Sequence, residues 1–166
     1  IYQLMMERIQ ENKIHCENAS PRYVLLHTFS HLLIRSLAKM CGYQSASLKE
    51  RIYSTYPSGE NMAGILIYTA SSDVEGSLGG LAAQAKSEYL EKIIDDLLDE
   101  AEWSSGDPLC MTSTGINGQG LYGLNYAACH QCTLLPETSC AMRNLLLDRA
   151  ALIGRTEDGT VGFFIL

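Results

Sequence analysis

The spacing of apolar residues along the chain predicts two long helices. Between Pro21 and Cys41 apolar side chains recur at helical spacing. Ser20-Pro21 is a good start, because serine caps free amides and proline suits the first helical position, and Gly42 suits a left-handed end. A second stripe, at i, i+3 and i+4, predicts a helix from Gln84 to Trp103. A shorter helix is expected over residues 1–12.

Shorter patterns predict a small amount of sheet. Residues 63–69 form a continuous apolar run between turns, which is typical of a buried strand. Ser47-x-x-Glu50 has the capping-box pattern and predicts a short helix. We also expect a helix over residues 141–153 and a last strand over 161–166, after the turn at Asp158-Gly159. The prediction is an α+β fold, helix-rich with a small buried sheet.

Composition places the chain among globular proteins. Of its 166 residues, 46% are apolar and 19% charged, which fits one domain over residues 1–166 and excludes disordered or fibrous classes. No stretch approaches the roughly 20 apolar residues that span a bilayer, and no secretory signal pattern is present. We therefore expect a cytoplasmic location without membrane contact. Ile1 at the start indicates a piece of something longer.

The net charge of −7 disfavours tight, autonomous DNA binding, because such binding draws its affinity from phosphate neutralisation by clustered bases. The twelve bases are scattered, whereas several acids share the polar face of the predicted helix 84–103. Those acids are Glu91, Asp95, Asp96, Asp99 and Glu100. A solvated face explains them, and a surface for a protein partner is the alternative.

The six cysteines carry the most specific signal. In a reducing compartment clustered thiols indicate metal rather than disulfides. Cys129-x-x-Cys132 directs two thiolates at one ion from a tight turn, and Cys110 and Cys140 on the flanks complete a tetrahedron. A closed shell of four thiolates predicts one structural zinc per chain. Since zinc contributes on the order of 10–16 kcal/mol in model fingers, it would decide whether the irregular lobe 104–142 folds.

Other interpretations of these thiols stay open. They include four unligated thiols, a redox dithiol at Cys129/Cys132, and His130 in place of one thiol. His15-Cys16-Glu17 with Cys129-x-x-Cys132 also imitates the catalytic zinc signature of deaminases. Ala128 stands where that signature has proline, and more than a hundred residues separate its two parts.

A hydrolytic or nuclease-like enzyme is the alternative function. The small-residue loop after the predicted strand holds Asp73 and Glu75, at a position where many α/β proteins bind ligands. His27 or His31 would supply an imidazole. The two histidines are one helical turn apart, but Thr28 stands where a zincin has glutamate, which favours histidines hydrogen-bonded within the domain.

Two segments carry a family resemblance: residues 125–140, NYAACHQCTLLPETSC, and residues 143–149, RNLLLDR. They resemble the C-terminal domain of the DrmB family, a component of the DISARM bacterial anti-phage system. Three further stretches also resemble this family: residues 26–34, 64–73 and 107–110. The similarity covers residues 23–154.

The resemblance implies a zinc-stabilised accessory module that works beside a helicase. The same domain also occurs at the C-terminus of MrfA-type superfamily-two helicases, where four cysteines hold a metal. Carried over, the ligands are Cys110, Cys129, Cys132 and Cys140, the partner is a DrmA-like superfamily-two helicase, and DNA is met through the complex. No Gly-Lys-Ser/Thr phosphate loop is present, so we expect no ATPase and no enzyme.

Overall fold

The computed structural model describes residues 2–16, 18–55, 60–70 and 78–164. It is helix-rich with one small antiparallel sheet, which confirms the predicted α+β class. In chain order the elements are α1 (Gln3–Glu11), α2 (Pro21–Cys41), β1 (Leu48–Thr55), β2 (Met62–Thr69), α3 (Leu78–Ala83), α4 (Ser87–Glu102) and α5 (Ala150–Ile153). Among these residues, no helix combines the length and apolar character that a membrane crossing requires.

Helix α2 has the bounds that its sequence predicts. The Ser20 hydroxyl accepts a 3.1 Å hydrogen bond from the amide of Tyr23, and Gly42 ends the helix with φ of 73°. One side of α2 packs against α4, and Leu152 of α5 joins the same apolar cluster. Its buried members on the two long helices are Leu32, Ile34, Leu37, Ile93, Leu97, Leu98 and Ala101.

The sheet is a two-stranded hairpin. β1 pairs with β2 in antiparallel register from Leu48 opposite Thr69 to Thr55 opposite Met62. The short helix predicted from Ser47 and Glu50 is wrong, because the β-prone residues of β1 find a pairing partner in β2. The strand predicted over residues 63–69 is present, but one of its sides faces solvent, with Leu66 exposed at 48%.

Helix α1 packs beneath the irregular part of the chain. Met5 and Ile9 are buried in a second apolar cluster that joins α1 to the start of α2 and to the segment after residue 123. The Arg8 guanidinium donates hydrogen bonds to the carbonyls of Gly115, at 3.0 Å, and Gly123, at 2.9 Å. Helix α1 therefore fixes the glycine-rich loop between Gly115 and Gly123.

The chain from residue 103 to residue 149 forms turns and short 3₁₀ segments. The helix predicted over residues 141–153 is limited to α5, because Arg143, Asn144 and Leu146 have φ angles of 52°, 58° and 65°, outside the helical range. The described part of the predicted last strand, residues 161–164, is not a strand. Its Phe163 and Phe164 amides donate to carbonyls of α5 instead. The loop with Asp73 and Glu75 lies outside the described residues.

Candidate metal centres

Cys110, Cys129 and Cys132 come together at the edge of α2. A tight turn presents Cys129 and Cys132, since the amides of Cys132, Thr133 and Leu134 all donate to the Cys129 carbonyl, at 3.2, 2.9 and 3.1 Å. Cys110 follows its own turn, closed by a 2.8 Å bond from its amide to the Gly106 carbonyl. Two separate turns thus direct three sulfur atoms at one point.

The spacing of these sulfur atoms fits a tetrahedral zinc shell. Cys132 Sγ lies 3.5 Å from Cys129 Sγ and 3.7 Å from Cys110 Sγ. Zn–S bonds of about 2.3 Å at tetrahedral angles place sulfur atoms about 3.8 Å apart. Gly106 permits this approach, since a Cβ there would lie 3.2 Å from Cys129 Sγ. The three sulfur atoms therefore have the arrangement of three corners of a tetrahedral zinc site.

Hydrogen-bond donors surround the sulfur atoms, as thiolates require. Cys132 Sγ accepts from the Cys129 amide and from the Thr133 hydroxyl, both at 3.3 Å. The Cys110 thiol and these donors lower the pKa of Cys132, whereas the hydrogen bond to Cys132 and burial raise the pKa of Cys110. Ser104 Oγ lies 3.4 Å from Cys129 Sγ. One thiol of the cluster is thus prepared to lose its proton first.

A buried ion pair supports the Cys110 turn. Asp107 accepts hydrogen bonds from the amides of Ser104, at 2.8 Å, and Met111, at 3.1 Å, and contacts the Arg149 guanidinium. The Arg149 side chain is fully buried and also donates to the Ala101 carbonyl at 2.7 Å. Arg149 thereby connects the end of α4 to the loop that carries Cys110.

The fourth predicted ligand, Cys140, lies in a different cluster. Its sulfur groups with His27, His31 and Glu50, and one donor atom from each lies within 4.8 Å of all the others. Cys140 Sγ is 3.2 Å from His27 Nε2, and Glu50 Oε1 is 2.8 Å from the same nitrogen. All four residues are buried. The structure thus brings together three of the four predicted cysteines and places the fourth with two histidines and a glutamate.

In this second cluster, the charged forms of the two histidines and of Glu50 and Cys140 stabilise each other. Burial raises the pKa values of Glu50 and Cys140, but the adjacent imidazoles of His27 and His31 outweigh it and give about 2 and about 6. Burial lowers the pKa of His27, but its contacts with the Cys140 sulfur and the Glu50 carboxylate outweigh it and give about 10. Charge in this cluster is therefore balanced internally.

Helix α2 holds both clusters in place. The Arg35 guanidinium donates to the carbonyls of Gln131, at 2.7 Å, and Leu134, at 3.2 Å, on either side of Cys132. One turn earlier, the His31 ring contacts the Thr133 carbonyl at 3.1 Å. Two side chains of one helix face thus fix the Cys129–Cys132 turn.

Residues 29–133, more than half of the chain, match the MrfA Zn-binding domain family. The chain belongs to this family. Zinc binding is accordingly a property of this MrfA Zn-binding domain, and the geometry of Cys110, Cys129 and Cys132 fits that metal. The matched range contains these three cysteines together with His31 and Glu50, and it ends before Cys140.

A curated relative gives the domain a closer counterpart. The DISARM protein DrmB of Bacillus paralicheniformis is 44% identical over 142 residues, which is 86% of this chain and 24% of DrmB. The chain is thus a DrmB-like MrfA Zn-binding domain that spans less than a third of that relative's length.

The remaining sequence candidates of this MrfA Zn-binding domain lie apart from the clusters. His130 is on the surface of the Cys129–Cys132 turn, and His15 is exposed beside α1. Neither belongs to a group of converging ligand atoms among the described residues. Glu50 was missed as a site residue because its sequence context indicated a helix cap. The signal that could have found it is an acidic residue on the inner side of a strand.

Proposed function

We propose that this domain is a non-catalytic, zinc-stabilised accessory module of a helicase-associated anti-phage complex. The similarity to a DISARM protein supports the setting, and the family match supports the zinc. In this proposal residues 1–166 are one domain, and Cys110, Cys129 and Cys132 hold a structural zinc that orders the lobe 104–142. The assignment of Cys140 as the fourth ligand stays a prediction.

The burial of the thiols is the observation that carries this proposal. Only 3% of Cys110 and 7% of Cys132 are exposed, so little of their surface is open to a substrate. A catalytic zinc needs a coordination position that a substrate or an activated water can occupy. A zinc ion that no substrate can reach instead contributes folding free energy. The best-supported role of the metal is therefore to shape a docking surface.

The surface beside the zinc lobe fits a protein partner. Trp103 at the end of α4 and Leu109 beside Cys110 are exposed at 70% and 80%. Large exposed apolar side chains are frequent anchors of interfaces. The five acids on the polar face of α4 are also exposed, and they would repel DNA and attract a basic protein surface. We propose that a DrmA-like superfamily-two helicase docks here and that DNA is met through the helicase.

A binding measurement with the helicase tests this proposal. The domain within its native full-length protein is immobilised, and helicase affinity is measured for Trp103→Ala, Leu109→Ala and the control Val161→Ala, which changes an equally exposed residue. We expect each of the first two to weaken binding about tenfold or more, as interface anchors do, and the control to leave it unchanged. Equal affinities for all three variants would contradict the docking surface.

A charge-reversal variant addresses the acidic face separately. Asp95→Lys/Asp96→Lys/Asp99→Lys should weaken helicase binding most at low salt, because screening removes the attraction at high salt. If the charge-reversal variant and the unmodified domain both bind the helicase with an affinity that does not depend on salt, α4 is not part of the interface.

The hydrolytic alternative receives no support from the histidines. His27 and His31 have no solvent-exposed surface, so neither imidazole reaches a phosphate or an attacking water in this structure. Asp73 and Glu75, its other two residues, lie outside the described residues.

A further inference from the structure

We propose that His27, His31, Glu50 and Cys140 hold a second metal ion, best matched by zinc, at a site separate from the three-cysteine cluster. The inference is independent of helicase docking. It competes with the sequence-based assignment of Cys140 to the first zinc, and it adds three buried residues that the proposed function does not use.

The donor atoms of this site converge without pairing well. Glu50 Oε1 lies 2.8 Å from His27 Nε2 and 3.4 Å from His31 Nε2. Neither Glu50 Oε1 nor His31 Nε2 has a hydrogen-bond partner of acceptable angle among the described residues. Buried polar atoms are rarely left in that state, because each one costs about 1–3 kcal/mol. A cation between Glu50 Oε1 and His31 Nε2 would accept a lone pair from each of these atoms.

The outer contacts of the two histidines prepare them as ligands. His27 Nδ1 lies 3.4 Å from the Leu146 carbonyl, and His31 Nδ1 lies 3.1 Å from the Thr133 carbonyl. A carbonyl accepts only from a protonated Nδ1, so when an incoming cation displaces the Nε2 proton, each ring directs the lone pair of Nε2 into the cluster. Metal-bound histidines show this arrangement almost without exception.

The other two ligands are supported in the same way. Glu50 Oε2 contacts the Ser30 hydroxyl, which leaves Oε1 for the cluster centre. Cys140 Sγ accepts a 3.2 Å hydrogen bond from the Asn144 amide, a contact that favours thiolate. All four candidate ligands thus have a partner that fixes their direction.

Charge and geometry both favour zinc. One carboxylate, one thiolate and two neutral imidazoles neutralise a divalent cation, which removes most of the cost of burying charge. Mixed nitrogen, sulfur and oxygen donors suit zinc, whereas magnesium and calcium take oxygen. A tetrahedral zinc shell places such donors about 3.3–3.6 Å apart. The observed separation of 3.4 Å lies within that range, and those of 3.2 and 2.8 Å are shorter by up to about 0.5 Å.

X-ray absorption at the zinc edge tests the inference on the unmodified protein. Purified without chelator, the protein should contain two zinc ions per chain, with imidazole scattering in an average shell of both sulfur and nitrogen or oxygen. One zinc per chain in an all-sulfur shell would overturn the proposal, since Cys140 would then belong with the other cysteines. One zinc with imidazole scattering, retained in Cys129→Ser/Cys132→Ser, would support the second site and count against the first.

Variants assign the two ions. His31→Ala and Glu50→Gln should each lose about one zinc and keep the sulfur-rich one, whereas Cys129→Ser/Cys132→Ser should lose the other. Cys41→Ser is the matched control, because Cys41 lies outside both clusters. His31→Ala and Glu50→Gln variants that keep two zinc ions would contradict the site. Helicase binding is measured on the same samples. If the unmodified protein holds both zinc ions but does not bind the helicase, that result would count against the proposed function alone.

Discussion

The two long helices and the lobe that follows them are stabilised by different means. Where α2 meets α4, the contact consists of apolar side chains such as Ile34, Leu37 and Leu97, each at most 5% exposed. In the lobe, the buried residues include many that are polar, among them Asn125, Thr133 and Ser139. The contacts between the helices are apolar, whereas many lobe contacts are hydrogen bonds from side chains to backbone carbonyls.

This difference indicates which part of the molecule needs metal. Burial of apolar surface at about 25 cal/mol per Å² stabilises the helix pair without an ion. A hydrogen bond between side chain and backbone contributes only about 1 kcal/mol net, so the lobe gains little from each contact. Cysteine and histidine ligands therefore belong in the lobe and at its boundary with α2.

Removal of the cysteine ligands should have the largest effect. In Cys129→Ser/Cys132→Ser we expect residues 104–133, which surround the three cysteines, to lose hydrogen-exchange protection, because zinc supplies on the order of 10 kcal/mol to comparable small sites. Residues 87–102 of α4 should keep most of their protection. Full protection of the lobe in this variant would show that the two regions do not differ in their need for metal.

The ion pair between the regions should come next. Asp107→Ala leaves the Arg149 guanidinium buried without its carboxylate, and the free energy of unfolding in urea should fall by about 3–5 kcal/mol. Asp158→Ala is the control, since Asp158 pairs with Arg155 but is 34% exposed. Its loss should cost at most about 1 kcal/mol. Equal losses in both variants would show that burial of the pair is unimportant.

A cavity in the helix pair should destabilise without removing metal. Leu97→Ala should lower the free energy of unfolding by about 2–5 kcal/mol, because the side chain is 1% exposed. Zinc content should remain that of the unmodified protein. Leu66→Ala on the exposed side of β2 serves as the control and should change stability little. Loss of zinc from Leu97→Ala would mean that the metal lobe depends directly on helix packing.

The smallest effect is expected at the start of α2. Ser20→Ala removes the hydroxyl that accepts from the Tyr23 amide and should cost about 1 kcal/mol of stability. Ser20→Asp keeps a hydrogen-bond acceptor and should retain most of the stability that the cap contributes. Thermal unfolding of the two variants measures the difference. A Ser20→Ala protein as stable as the original would show that contacts along α2 make its cap unimportant.

The helices were predictable because their signals are local. Ser20, Pro21 and Gly42 mark both ends of α2, and the structure has the same bounds. The strand β1 was not predictable from its own residues, because the deciding factor is its pairing with β2. Residues 141–149 fail as a helix for a similar reason. The Asn144 side chain bonds both the amide and the carbonyl of Leu135, at 2.9 and 2.8 Å, which rewards its left-handed backbone.

The candidate site shows the same limit. The Cys129-x-x-Cys132 turn and its approach to Cys110 follow from spacing that the sequence displays. The surroundings of Cys140 depend on His27, more than a hundred residues away in the chain, and spacing between cysteines contains no information about that contact. Metal content of the variants above decides which ligands Cys140 shares.

Thr133 takes part in both clusters at once. Its hydroxyl donates to Cys132 Sγ at 3.3 Å, and its carbonyl lies 3.1 Å from His31 Nδ1. A shift of this one residue changes the position of a sulfur ligand and of an imidazole together. An ion bound at one cluster therefore restrains a residue that the other cluster also uses, so loss of one ion should weaken the affinity of the other site without emptying it.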